Sequence, residues 1–140
     1  APEQDTDTGV DLVRLRQRRK EIKQEAKTLL TQQFSNTNFN KQITISKTGI
    51  KEWLNQPHKF VETKNEMLLD IADIMQHSKY LGSGVDRHND SVIAHIFEVT
   101  IENENSWIIV REYYNGECHI HSISDNANIL KYIQKKPPKE

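Results

Sequence analysis

Residues 91–124 read Ser91-Val-Ile-Ala-His95-Ile-Phe-Glu-Val-Thr-Ile101, then Ser106-Trp-Ile-Ile-Val-Arg111-Glu-Tyr-Tyr114, then Glu117-Cys-His119-Ile-His121-Ser-Ile123. Each run is rich in β-branched and aromatic residues, and short polar stretches separate them, as expected for an antiparallel meander. Asn115-Gly116 between the last two runs predicts a two-residue type I′ hairpin turn. That turn sets Tyr114 against Glu117, Glu112 against His119 and Val110 against His121. With Ile101 set against Ser106 across Glu102-Asn-Glu-Asn105, His95 also lies opposite Glu112. Side chains alternate along a strand. His95, Glu112, His119 and His121 are therefore expected on one face, and Arg111, Tyr113, Cys118 and Ser122 on the other.

Outward from this sheet, Thr63–Tyr80 has helical periodicity with Met67, Leu68, Ile71, Ile74 and Met75 as its core face. A short helix capped by Thr48 runs to Asn55 and stops before Pro57. Gln42–Ser46 reads as a short strand, Ser35–Asn40 as a loop, and Leu81–Asp90, with Gly82 and Gly84, as a mobile connection. Val10–Phe34 reads as one long helix with a thin stripe of Leu12, Leu15, Ile22, Ala26, Leu29 and Leu30. Such a helix can dock on the domain, pair with another helix, or link to an upstream domain. Asn126–Gln134 closes the fold as a final helix with Ile129, Leu130 and Ile133 inward. The expected class is α+β, with helices packed on a small antiparallel meander behind a long N-terminal helix. Residues 1–9 are expected as a disordered leader, 10–40 as the basic helix and loop, 41–134 as the α+β domain, and 135–140 as a flexible tail.

The 140 residues suit one domain, and a net charge of −1 gives no global attraction for nucleic acid. Charge is uneven locally: Arg14 to Lys27 carries seven cations against two glutamates. That helix can contact phosphates or simply form a solvated face. The single cysteine, Cys118, excludes an internal disulfide and reads as a buried thiol. No apolar run reaches the roughly 20 residues of a membrane span, so no membrane partner is expected. The chain begins Ala-Pro-Glu rather than with methionine, as a fragment or processed product would.

The row His95, Glu112, His119 and His121 supports acid–base catalysis, with a carboxylate orienting an imidazole. The same residue types can ligate a divalent metal, although no closed ligand spacing is present, or serve as half-buried polar residues of the sheet. On the other face, Arg111, Tyr113, Ser122 and Trp107 offer a guanidinium fork and rings for phosphate and base recognition. They can equally cover the sheet, with Arg111 paired to Glu98. His58, in a loop after Pro57, is a further candidate. His77 and Lys79 at a helix end follow from the helix dipole, and His88 beside Arg87 reads as solvated surface. There is no Gly-rich phosphate loop and no Cys-X-X-Cys pair.

Ile43-Thr-Ile-Ser-Lys-Thr-Gly49-Ile-Lys-Glu-Trp53, the amphipathic helix after it, and His95–Ile101 followed by Trp107–Gly116 resemble a known group. It is the large polyvalent-protein-associated and phage-associated domains of the barnase–EndoU–colicin–RelE nuclease fold. The resemblance covers residues 41–124 and implies a helical layer followed by an antiparallel sheet. It also implies metal-independent cleavage of RNA, without a cofactor, by an RNase-type toxin or effector. A non-catalytic protein- or nucleic-acid-binding module of a larger polyprotein is the alternative. Gly49-Ile50-Lys51 matches the segment after the first strand, where nuclease members frequently carry a histidine; here Glu52 and Trp53 stand there, and the nearest histidine is His58. Arg111, His119, His121 and Ser122 match the sheet residues that active members use. The mechanism expected has one of His95, His119 or His121 deprotonating a ribose 2′-hydroxyl. Arg111 or Lys51 stabilises the phosphorane, and a second histidine such as His58 protonates the 5′-oxygen. Expected catalytic residues are thus His58, His95, Arg111, Glu112, His119 and His121, with Lys51, Tyr113 and Ser122 binding substrate. The implied partners are RNA and an immunity or antitoxin protein. The implied setting is cytoplasmic, or delivery within a larger secreted or phage-borne protein.

Overall fold

The computed structural model describes residues 2–86 and 89–133 of the chain. Helix α1 spans Pro2–Glu25 and tightens into a 3₁₀ segment, Ala26–Thr31. Strands β1 (Phe34–Asn36) and β2 (Phe39–Ile45) follow, then helices α2 (Lys47–Asn55), α3 (Val61–Met67) and α4 (Ile71–His77). Strands β3 (Lys79–Asp86), β4 (Asn89–Ile101), β5 (Glu104–Glu112) and β6 (Cys118–Ser124) complete the sheet, and a 3₁₀ segment, Ala127–Tyr132, ends the described chain. The class is α+β.

The sheet has six strands in the order β1-β2-β6-β5-β4-β3. The expected meander β4–β5–β6 forms its centre, but two edges are added to it. Leu81–Asp86, expected as a connection, pairs antiparallel with β4, and β2 pairs parallel with β6 through Ile43↔Cys118 and Ile45↔Ile120. The sheet is therefore mixed. The parallel pair requires a crossover, which the three helices and three intervening strands supply.

Both hairpin loops differ from expectation, and this sets which side chains meet. Between β4 and β5 the turn is Glu102-Asn103, both at positive φ, so that Ile101 faces Glu104 and His95 faces Val110. This is a shift of two residues from the expected register and leaves the faces of β4 unchanged. Between β5 and β6 the loop is Tyr114-Asn115-Gly116, closed by Tyr113 N–H to Glu117 O, with only Gly116 at positive φ. A three-residue loop of this kind moves the register by one, which exchanges faces. Arg111 therefore faces His119, and Glu112 faces Cys118. A bulge then inserts His121: Val110 faces Ile120, but Ile109 faces Ser122.

The inner face carries the main core. Ile43, Ile45, Phe97, Ile101, Ile108, Val110, Ile120 and Ile123 pack against Trp53, Leu54, Leu68, Ile71 and Met75 of the helices. The region expected as one helix over Thr63–Tyr80 is broken: α3 and α4 are joined by a 3₁₀ turn, Leu68–Asp70, and Lys79 and Tyr80 already belong to β3. Helix α1 docks through Ile22, and its 3₁₀ extension through Ala26 and Leu29, while Arg18 reaches Glu66 of α3. Leu12 is exposed, so the apolar stripe engages only in its C-terminal half. Residues 2–9, expected as a leader, fall within the span of α1. Gln134, the tail 135–140, Arg87 and His88 lie outside the described residues.

The outer face has a smaller core of Ala94, Ile96, Trp107 and Ile109 beneath Ile129, Leu130 and Ile133. The closing segment, expected as an α-helix, is a single short 3₁₀ run. It is too short to cover the whole face. The part of the sheet beside it, over β5 and β6, is left as an open cleft.

Candidate functional site

Three features bring side chains into this cleft. Arg111 and His119 are cross-strand partners, which places their Cβ atoms about 5 Å apart. The bulge presents His121 on the same side as Ser122. Helix α2 then lies across β6 through its first turn, where Gly49 approaches the Ile120 carbonyl so closely that a Cβ would sit 2.5 Å from the oxygen. Ser46, rather than Thr48, caps this helix, accepting a hydrogen bond from Gly49 N–H at 3.1 Å.

Two adjoining hollows result, each of about 280 Å³ and each lined by Arg111 and His121. One holds Tyr113, His119, Ser46, Thr48 and Gly49. The other holds Asp86, Ser122, Ser124, Gln56 and Asn128. The Arg111 guanidinium is held by Asp86, which accepts from Nε at 3.3 Å and from Nη2 at 3.4 Å. This replaces the expected pairing with Glu98, whose carboxylate accepts from Trp107 Nε1 instead. His119 Nε2 lies 3.0 Å from Glu117 Oε1 and Nδ1 lies 3.0 Å from Thr44 Oγ1, with the Tyr113 ring edge-on at 5.4 Å. A carboxylate only accepts, so Nε2 carries a proton towards Glu117. Thr44 can serve both charge states of the ring. Its hydroxyl donates to neutral Nδ1, or accepts from protonated Nδ1 while donating to the Cys118 carbonyl at 3.4 Å.

His95 and Glu112 are not in this cleft. They lie on the inner face, because the one-residue register change sends His119 to the opposite side. His95 Nε2 donates to Glu112 Oε1 at 2.8 Å, and Nδ1 lies 2.8 Å from the Tyr80 hydroxyl. Lys41 Nζ reaches the other Glu112 oxygen at 3.3 Å. Burial pulls the Glu112 carboxyl upward, but its hydrogen bonds to His95 and Lys41 outweigh this and hold it below the usual range. His95 is buried, and Phe39 packs edge-on against its ring. The expected row of three histidines and a glutamate is thus divided between two faces. Among the described residues, no group of three or more His, Cys, Asp and Glu side chains could hold a metal ion.

His58 also lies elsewhere. Its Nδ1 accepts from Phe60 N–H at 2.8 Å, and its Nε2 is 2.7 Å from the hydroxyl of Ser106, which is fully buried. Burial pushes its pKa down, so the ring is neutral and closes the loop between α2 and α3. Cys118, expected beside Arg111, is buried on the inner face, where burial pushes its thiol up to about 11. Lys51 is exposed on α2, facing α1 rather than the cleft. Tyr113 and Ser122 line the cleft, as expected of their side of the sheet.

Asp86, Thr44, Glu117 and the first turn of α2 join the site without having been expected there. Glu117 is two residues before His119, at the entry to β6, a spacing that places both on one face. Ser46-Lys-Thr-Gly49 after a strand is a legible helix start. Asp86 carries no such signal, because its segment reads as a connection.

The family model described as large polyvalent protein-associated domain 3 matches residues 14–129. No curated protein and no solved structure compared with the chain matches it. Among the described residues no helix is long and apolar enough to cross a membrane.

Proposed function

The chain belongs to the large polyvalent protein-associated domain 3 family, and we propose that its outer cleft binds and cleaves RNA without a metal ion. One observation carries this reading: Arg111, His119 and His121 line the same open cleft, at the first turn of α2. Phosphodiester cleavage by an internal hydroxyl needs a base, an acid and a cation near the phosphorus, and these three residues supply all of them.

His119 acts as the base. Its Nδ1 takes the proton of a ribose 2′-hydroxyl that displaces the Thr44 hydroxyl from it, and Glu117 orients the ring and stabilises the imidazolium. The 2′-oxygen forms a bond to phosphorus as the bond to the 5′-oxygen breaks. His121 protonates that leaving oxygen. The products are a 2′,3′-cyclic phosphate and a free 5′-hydroxyl. Arg111, held by Asp86 through Nε and Nη2, presents its remaining donor edge to the phosphorane oxygens. Tyr113 offers a ring for stacking, and Ser122, Gln56 and Asn128 offer donors and acceptors to an unstacked base.

Incubation of the domain with total RNA, with and without EDTA, tests this. Fragments ending in cyclic phosphate in both samples are the expected result; cleavage that EDTA abolishes contradicts it. A non-catalytic RNA-binding module is the second reading, favoured by Asp86, which already occupies two of the three Arg111 nitrogens. Tight binding of RNA with no fragments would establish that reading in its place.

A further inference from the structure

A second groove, of about 330 Å³, lies between the C-terminal end of α1 and the first two turns of α2. Lys23 and Lys27 form one wall, Lys47 and Lys51 the other, and Leu30 and Ile50 contribute apolar surface. All four lysines are exposed, and none has an ion-pair partner among the described residues. The contrast with Arg18, one turn earlier on α1, is direct: Arg18 contacts Glu21, Glu25 and Glu66. Each lysine pair is spaced four residues apart, which brings like charges close together. Two such pairs facing one another, in a chain of net charge −1, concentrate positive charge along one groove.

The groove adjoins the outer cleft at the first turn of α2. Thr48 lines both, and Lys47 follows Ser46, which lines the cleft. We propose that this lysine groove carries the backbone of single-stranded RNA leading away from the scissile phosphate, over the first turn of α2. The inference rests on the reading of the outer cleft as an RNA site. The occupant is a polyanion because every charged group in the groove is a cation. It is single-stranded because the adjoining cleft offers a ring and amides to unstacked bases, which a duplex would not present. A flat anionic membrane fits less well, since the lysines face each other across a hollow.

The test is the affinity of a short, 2′-O-methylated single-stranded RNA, which cannot be cut, measured by fluorescence anisotropy across a range of salt concentrations. Wild type is compared with the K23Q/K27Q/K47Q and K23R/K27R/K47R variants. Neutralising three phosphate contacts on a single strand accounts for a salt slope of about 2. The glutamine variant is therefore expected to lose about 2 from its slope and to bind at least about tenfold more weakly at low salt, while the arginine variant binds like wild type. Unchanged affinity and slope in the glutamine variant would overturn the groove as an RNA track. Cleavage of unmodified RNA by wild type, assayed in parallel, separates the two readings. Cleavage with lysine-independent binding removes the groove alone, and lysine-dependent binding without cleavage removes the catalytic reading alone. Binding to anionic vesicles but not to RNA would overturn both.

Discussion

Arg111 of β5 stands directly opposite His119 of β6, and His121 bulges out beside them. This juxtaposition depends on the three-residue loop 114–116 and on the inserted residue at 121 together. With a two-residue turn and no bulge, His119 and His121 would face the helices, and Arg111 would be alone on the outer side. The bulge also returns Ile123 to the core, where it is buried. One irregularity thus satisfies both the packing of β6 and the gathering of a base, an acid and a cation.

Arg111→Ala is expected to lower the rate of RNA cleavage by about 10²–10³, the size of losing one preorganised donor to a developing charge. It also leaves the buried Asp86 carboxylate without its guanidinium, a loss of about 2–4 kcal/mol in denaturant unfolding. Arg111→Lys restores charge but not the two-point contact, so it falls between. Equal stability of wild type and Arg111→Ala would show that the Asp86 pair does not form in solution.

Gly49→Ala places a Cβ 2.5 Å from the Ile120 carbonyl oxygen and 2.9 Å from Ile45 Cγ1. Both belong to the sheet, so α2 must lift. The expected cost is about 1–3 kcal/mol, read as a lower midpoint in urea, with weaker RNA binding as Thr48 moves off the cleft. An unchanged midpoint would mean that α2 is not seated on β6 as described.

His95→Leu separates the inner network from the outer site. It leaves the Tyr80 hydroxyl and a Glu112 oxygen without their imidazole partner, at a cost of about 1–3 kcal/mol in unfolding. Cleavage per folded molecule is expected to remain at the wild-type level, because His95 and the cleft are on opposite faces. Loss of cleavage in a folded His95→Leu protein would return His95 to the catalytic set.

The pH dependence of stability carries a signature of His58. Its folded pKa is depressed by burial, so the unfolded chain binds the proton more readily. The neutral ring's contribution is present above the unfolded value of 6.5 and is lost as pH falls through the folded value. Melting temperature should therefore fall as pH is lowered from 7 to 5, and His58→Gln should flatten that part of the curve. Glu112, whose carboxyl is also depressed, adds a second loss as pH falls below its ordinary value of 4.5. A melting curve that is equally steep for wild type and His58→Gln would place the titrating group elsewhere.

The sequence shows the three central strands plainly because their β-branched runs are long and their turns polar. It shows α2 and the apolar face of α3 and α4 by the same periodic signal. It hides β3, because Gly82 and Gly84 weaken strand propensity and the segment is held by backbone pairing to β4. The parallel contact of β2 with β6 is hidden because the two are more than 70 residues apart in the sequence. The site was legible as a set of residue types but not as a geometry. Asn115-Gly116 suits a two-residue turn, yet only Gly116 takes the left-handed conformation, and that difference of one residue decides which histidines meet Arg111. Nothing local to His121 announces the bulge.

The most direct measurement is cleavage of one fluorescently labelled single-stranded RNA by wild type, His119→Ala, His121→Ala and His58→Gln, each shown to be folded by circular dichroism. Loss of about 10²-fold or more in both His119→Ala and His121→Ala, with His58→Gln as active as wild type, is the expected result. Cleavage unchanged in both cleft variants, or abolished in His58→Gln alone, would contradict the assignment of the outer cleft as the site of RNA cleavage.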